Sequence, residues 1–185
     1  AIVSEHGLLR RAFSHVPPYY NFVGAGEDEP LNFYERGPQN SRGFRALKVW
    51  MAFSAAGRDG YEQMIGDDVR LSRALFANLA THPEFEAVTQ GLSITTFRYV
   101  PPAWRDSVSE HHDALNTLNR ELCTRLQAGG ELFVSNAVLA DRYLLRACFT
   151  NFRTTRADAD AAPEMIARVG REVVRELGLM TESPP

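Results

Sequence analysis

The chain has 185 residues, of which 44% are apolar and 23% charged, with a net charge of −3. That is an ordinary soluble, globular composition, enough for one real core and marginal for two. It carries no basic stripe for nucleic acid, no apolar run near the roughly 20 residues that span a bilayer, and no signal-peptide pattern at its start, Ala1-Ile2-Val3-Ser4.

In chain order, residues 5–14 (EHGLLRRAFS) predict a short amphipathic helix, with Leu8, Leu9, Ala12 and Phe13 near one face. A long irregular stretch follows from Val16 to about Gly43, punctuated by Pro17-Pro18, Gly24, Gly26, Pro30 and Gly37-Pro38. A connection of that length, when ordered, usually serves as a lid or binding loop, and the domain boundary is placed at its end. FRALKVWMAFSAAG predicts a helix closed by Gly57, and a second helix runs to Pro83. EFEAVTQ and LSITTFRYV predict two strands split by Gly91. Residues 104–130 predict the longest helix, with a stripe of Val108, His112, Leu115, Leu118 or Asn119, Leu122 and Leu126, stopped by Gly129-Gly130. ELFVSNAVLADRYLLRACFT predicts a second strand pair turning near Ala140-Asp141, and a last helix follows, with Thr155 and Asp158 as a capping box. The order α-α-β-β-α-β-β-α from residue 44 implies an α+β fold: a small, mostly antiparallel sheet with helices on one side.

The residues by themselves name no activity. The sequence has one lysine, Lys48, which lies inside an apolar helix; there its stem packs and its head meets water. In YLLRACF, alternation puts Tyr143, Leu145, Ala147 and Phe149 on one face, and Arg146 with Leu144 and Cys148 on the other. An arginine so flanked requires an anion, either a protein carboxylate or a substrate carboxylate gripped in bidentate fashion. Phe33 and Tyr34 lie in the long loop, where a tyrosine either donates a proton once a lid closes or merely anchors the loop. His111 and His112 are adjacent and point about 100° apart on a helix, so they cannot share one metal. No paired Cys/His, HExxH, GxSxG or phosphate-loop motif is present. Cys123 and Cys148 are expected to be free buried thiols in a reducing, cytoplasmic setting.

Residues 37–53, GPQNSRGFRALKVWMAF, resemble the group II pyridoxal-phosphate-dependent amino-acid decarboxylases, through Arg42, Phe44-Arg45, Leu47-Lys48 and Trp50. The similarity continues in GYEQMIGDDVRLSRALFANLATHPEFEAV and YLLRACFTNFRTTRADAD, and covers the chain from about Leu8 onward. The resemblance implies residues 1–43 as a remnant of the large cofactor domain with its mobile loop, and 44–185 as the C-terminal small domain of a fold-type I enzyme. It implies pyridoxal phosphate as cofactor, held by a lysine that follows a histidine; this sequence has no His-Lys pair. Lys48 matches a small-domain helix lysine instead. The family's loop tyrosine, which reaches across the dimer interface to donate a proton after carbon dioxide leaves, best matches Tyr34, and an ungapped match puts Phe33 there. Arg146 matches the family's strand arginine near the active site. The expected partners are an amino acid, first an aromatic one, the remaining N-terminal part of the enzyme, and a second copy of the complete enzyme; no nucleic acid or membrane is expected. Beginning with Ala, the chain is expected to be a processed or truncated product, inactive alone. The rival readings are a non-catalytic interaction module and another fold-type I enzyme.

Overall fold

The computed structural model describes residues 2–15, 17 and 32–179. The chain divides into two compact units, Ala1–Ala55 and Ala56–Pro185. Much of the irregular connection, including 18–31, lies outside the described residues.

The first unit holds helix α1, Leu8–Phe13, and a 3-10 turn, Phe33–Arg36. The helix is shorter than its pattern suggested and buries none of its residues. Helix α2, Arg45–Thr81, is broken at Gly57, whose backbone (φ 65°, ψ 179°) lies outside the helical region. Glycine adopts a positive φ without steric cost, which is why the sequence stops its first helix there. Before the break, Phe44, Val49, Trp50, Met51 and Phe53 are all more than half exposed.

The second unit is an α+β layer. Strands β1 (Phe85–Gly91), β2 (Ile94–Tyr99), β3 (Ser135–Leu139) and β4 (Arg142–Cys148) form one antiparallel sheet in the order β1-β2-β4-β3. Both hairpins turn on two residues. Ala140 and Asp141 take φ of 48° and 59° between Leu139 and Arg142, the left-handed pair that matches strand twist. In the first hairpin the positive φ (50°) falls on Leu92, one residue beyond the expected Gly91.

Period-two alternation puts Phe97, Tyr99, Leu145 and Ala147 into the core. Leu75 and Leu79 of α2, Leu115, Leu118 and Leu122 of α3 (His112–Gly129), and Ile166 and Val173 of α4 (Arg156–Glu176) meet them. The capping box at Thr155 and Asp158 is present.

Three details differ from the sequence expectation. Helix α3 starts at His112, because residues 102–107 form a 3-10 helix followed by turns. The cause is the Trp104–His111 stack, with ring centroids 4.3 Å apart. Seven residues along a regular helix would separate the two by about 10 Å. Second, Asn119 and Leu118 are both buried. The strands β2 and β4 pair from Ile94↔Cys148 only as far as Phe97↔Leu145, and the amide of Asn119 completes the edge beyond. Its Oδ1 accepts from the Tyr99 N–H at 2.8 Å, and its Nδ2 donates to the Tyr99 carbonyl at 2.9 Å. Asn116 does the same for the Tyr143 N–H at 2.7 Å. Third, Cys123 is buried, but Cys148 is exposed, since it ends β4 on the face away from the core.

Candidate functional site

The face of the sheet away from the core residues carries the charge. Alternation puts Glu86 of β1, Thr96 and Arg98 of β2, Arg142, Leu144 and Arg146 of β4, and Ser135 of β3 there. Glu86 and Arg98 are directly opposite across the strands, and the Arg98 Nε donates to Glu86 Oε2 at 2.5 Å. The other carboxylate oxygen of Glu86 takes Arg142 at 2.8 Å. The Arg98 side chain is only 3% exposed, and its Nη1 is buried with no hydrogen-bond partner among the described residues. One carboxylate thus serves two guanidinium groups, one of them desolvated.

Arg146 lies between Thr96 and Ser135, its cross-strand partners. Its Nη1 reaches Ser135 Oγ at 3.4 Å, at the long limit for a hydrogen bond. Among the described residues no ion pair joins Arg146 to a carboxylate. Arg98, Arg142 and Arg146 against Glu86 leave a net of two positive charges on these four side chains. Such a face is suited to an anion, and a planar carboxylate can accept the two parallel N–H bonds of a guanidinium.

Tyr34 belongs to the first unit, on the 3-10 turn, and is half-buried, while Phe33 beside it is 62% exposed. The turn is tied down. Glu35, 5% exposed, accepts from Ser14 Oγ at 3.1 Å and pairs with Arg10 at 3.2 Å. Arg42 donates to the Phe33 carbonyl at 2.9 Å and also to the Gln39 carbonyl. Arg146 belongs to the second unit, so each candidate is placed within its own unit. Lys48 is exposed on α2. His112 is half-buried and lies 3.2 Å from the Asn116 amide. Among the described residues no group of three His, Cys, Asp or Glu could hold a metal ion. No helix of the described residues is long and apolar enough to cross a membrane.

Sequence reasoning singled out Arg146 and passed over its same-face neighbours Arg98, Glu86 and Arg142. Arg98 carried the same signal, a charge flanked by the apolar Phe97 and Tyr99 in a strand. Its partner could not be assigned without the register that sets Glu86 opposite it. A second polar chain lies at the core's edge. The buried Tyr99 hydroxyl donates to Glu84 at 2.8 Å, and Glu84 takes Arg171 at 2.6 Å. Burial, and then the bond to Glu84, push the Tyr99 hydroxyl well above its usual pKa.

The second unit is thus a small antiparallel sheet with helices on one face and a net-cationic cluster on the other. Its fold is that of the crystal structure of Oryza sativa TDC with PLP and tryptamine, with a TM-score of 0.74 at 22% identity, over 88% of this chain and 33% of that one. No family model matches the chain. An aromatic-L-amino-acid decarboxylase of Bacillus atrophaeus is 32% identical over 155 residues, 83% of this chain and 31% of that protein. Tyrosine decarboxylase 2 of Arabidopsis thaliana is 31% identical over 145 residues, 78% of this chain and 26% of that protein. Over most of its length the chain is therefore similar to part of the group II pyridoxal-phosphate-dependent amino-acid decarboxylases. It spans 31% and 26% of the lengths of these two relatives.

Proposed function

We propose that this chain is the C-terminal part of a pyridoxal-phosphate-dependent decarboxylase that removes the α-carboxylate of an aromatic L-amino acid. Residues 1–43 are a remnant of the large domain and 44–185 the small domain. The cofactor, held by the remainder of the enzyme, supplies the electron sink for the bond to carbon dioxide. This chain supplies Arg146, whose guanidinium lies beside Thr96 and Ser135 with no carboxylate of its own among the described residues. That unmatched cation carries the reading: it binds and orients the substrate carboxylate. Glu86 holds Arg98 and Arg142 and keeps the face cationic.

The exposed apolar run from Phe44 to Phe53 supports dependence on further protein, because a self-sufficient module rarely exposes so much adjoining apolar surface. The complete enzyme is a cytoplasmic homodimer in this reading. Tyr34 is proposed as the loop proton donor. The turn that carries it is tied by Glu35 to Ser14 and by Arg42 to the Phe33 carbonyl.

The test uses the complete enzyme, loaded with pyridoxal phosphate and assayed for carbon dioxide release from aromatic amino acids. Arg146→Met should lower kcat/KM by roughly 10- to 100-fold, the worth of a charge-assisted bidentate pair, with Arg146→Lys recovering only part. Tyr34→Phe should abolish amine formation. Unchanged kinetics in Arg146→Met would remove the carboxylate-binding role. Loss of activity in Tyr19→Phe or Tyr20→Phe, with Tyr34→Phe unaffected, would move the proton donor to the earlier tyrosines of the same connection. Decarboxylation by the 185-residue chain alone would overturn the dependence on the remainder.

A further inference from the structure

A second cavity-forming region lies on the other side of the sheet from Arg146, between β2, β4, the segment before β3 and the start of α4. It has a volume of about 440 Å³, within the range of sites that hold small organic molecules. Its floor is core: Leu75, Phe97, Val134, Ala147, Ala162 and Ile166. Among the described residues its charged lining is Glu131 and Asp158, both acids, with no lysine, arginine or histidine.

The two acids differ. Glu131 is matched by Arg168 at 2.5 Å. Asp158 has no cationic partner among the described residues. Its Oδ2 accepts from the Thr155 N–H at 2.8 Å and the Thr155 hydroxyl at 2.7 Å, and its Oδ1 accepts no hydrogen bond among the described residues. Those Thr155 bonds hold the Asp158 carboxyl below the usual carboxylate range, so it is charged at neutral pH. An apolar floor under one unmatched negative charge selects a ligand with an apolar body and one positive head.

We infer that this cavity is a binding site for a small arylalkyl primary amine, its ring on the apolar floor and its ammonium on Asp158. Thr154 and Asn151 at the same mouth offer oxygen atoms to the remaining ammonium hydrogens. A carboxylate-bearing analogue binds more weakly, because its head would meet the Asp158 carboxylate at the cavity mouth. Loss of the α-carboxylate from an aromatic amino acid leaves such an amine, so the cavity would read the product and not the substrate. That last link rests on the proposed decarboxylase reading; the binding itself does not.

The experiment titrates 2-phenylethylamine, and separately phenylacetate, into the 185-residue chain while the methyl signals of Ala162 and Met165 are followed by NMR. Saturable shifts at both methyls with the amine, and binding of phenylacetate at least 10-fold weaker, are expected. Asp158→Asn should weaken the amine at least 10-fold, and Ala162→Leu, which fills the floor, should abolish it. No saturable shift, equal binding of phenylacetate, or amine binding that survives both substitutions would overturn the inference. If either variant fails to fold, the amine-to-carboxylate comparison on the unaltered chain still decides. Failure here leaves the decarboxylase reading standing, and failure of the activity assay leaves amine binding standing.

Discussion

Replacing Asn119 by leucine keeps the number and branching of the side-chain heavy atoms but removes every hydrogen bond it makes. The Tyr99 N–H and C=O both lose their partner, and Tyr99 is 1% exposed. Water therefore cannot take over without opening the core. Each stranded buried backbone group costs about 1–3 kcal/mol, so the two together cost about 2–6 kcal/mol. The extra apolar contact of leucine returns little, because Asn119 is already fully packed. With a urea m-value of about 2 kcal/mol/M, a loss near 4 kcal/mol moves the unfolding midpoint down by about 2 M. Trp104, 8% exposed in the second unit, is the natural fluorescence reporter, and Trp50, 67% exposed in the first, provides a background signal. The same change at half-buried Asn116, where solvent can reach the released groups, should cost less than half as much. A midpoint shift below 0.5 M for Asn119→Leu, or a larger effect at Asn116, would refute the view that Asn119 substitutes for a missing strand partner.

Two further outcomes are expected. Gly170→Ala should destabilise by about 1–3 kcal/mol although alanine favours a helix, because the added Cβ would lie 2.9 Å from the Tyr99 ring; thermal melts showing a gain in stability would contradict that contact. Glu86→Gln leaves the buried Arg98 guanidinium without its counter-charge and should cost about 2–4 kcal/mol, toward the low end because Glu86 itself is 34% exposed; a neutral result in urea unfolding would mean that another group already compensates Arg98.

Much of the second unit was legible from residues alone. The strand pairs carry β-branched and aromatic residues in alternation, and α4 announces itself through Thr155 and Asp158. The start of α3 was not legible, because the cause is a ring stack between Trp104 and His111 that no local periodicity encodes. Nor was the choice between Leu118 and Asn119. A polar residue on an apolar stripe reads as exposed until the early parting of β2 and β4 leaves backbone groups for it to serve. At the site, the single-strand pattern exposed Arg146. The shared use of Glu86 by Arg98 and Arg142 depends on cross-strand register, which is tertiary information.

The sheet order also has a kinetic consequence. Each outer pair, β1 with β2 and β3 with β4, closes through a two-residue turn and can form within microseconds. The central pairing of β2 with β4 must close the whole loop from Ile94 to Cys148, with α3 inside it. That is the high-contact-order step, and it sets the pace of folding. Until it happens, β2 and β4, the most buried strands of the finished sheet, are bare edges able to pair with another chain. The amides of Asn116 and Asn119 then act as a checkpoint: only after α3 has docked at the parting of the two hairpins are the last strand groups satisfied, and the route to aggregation closed.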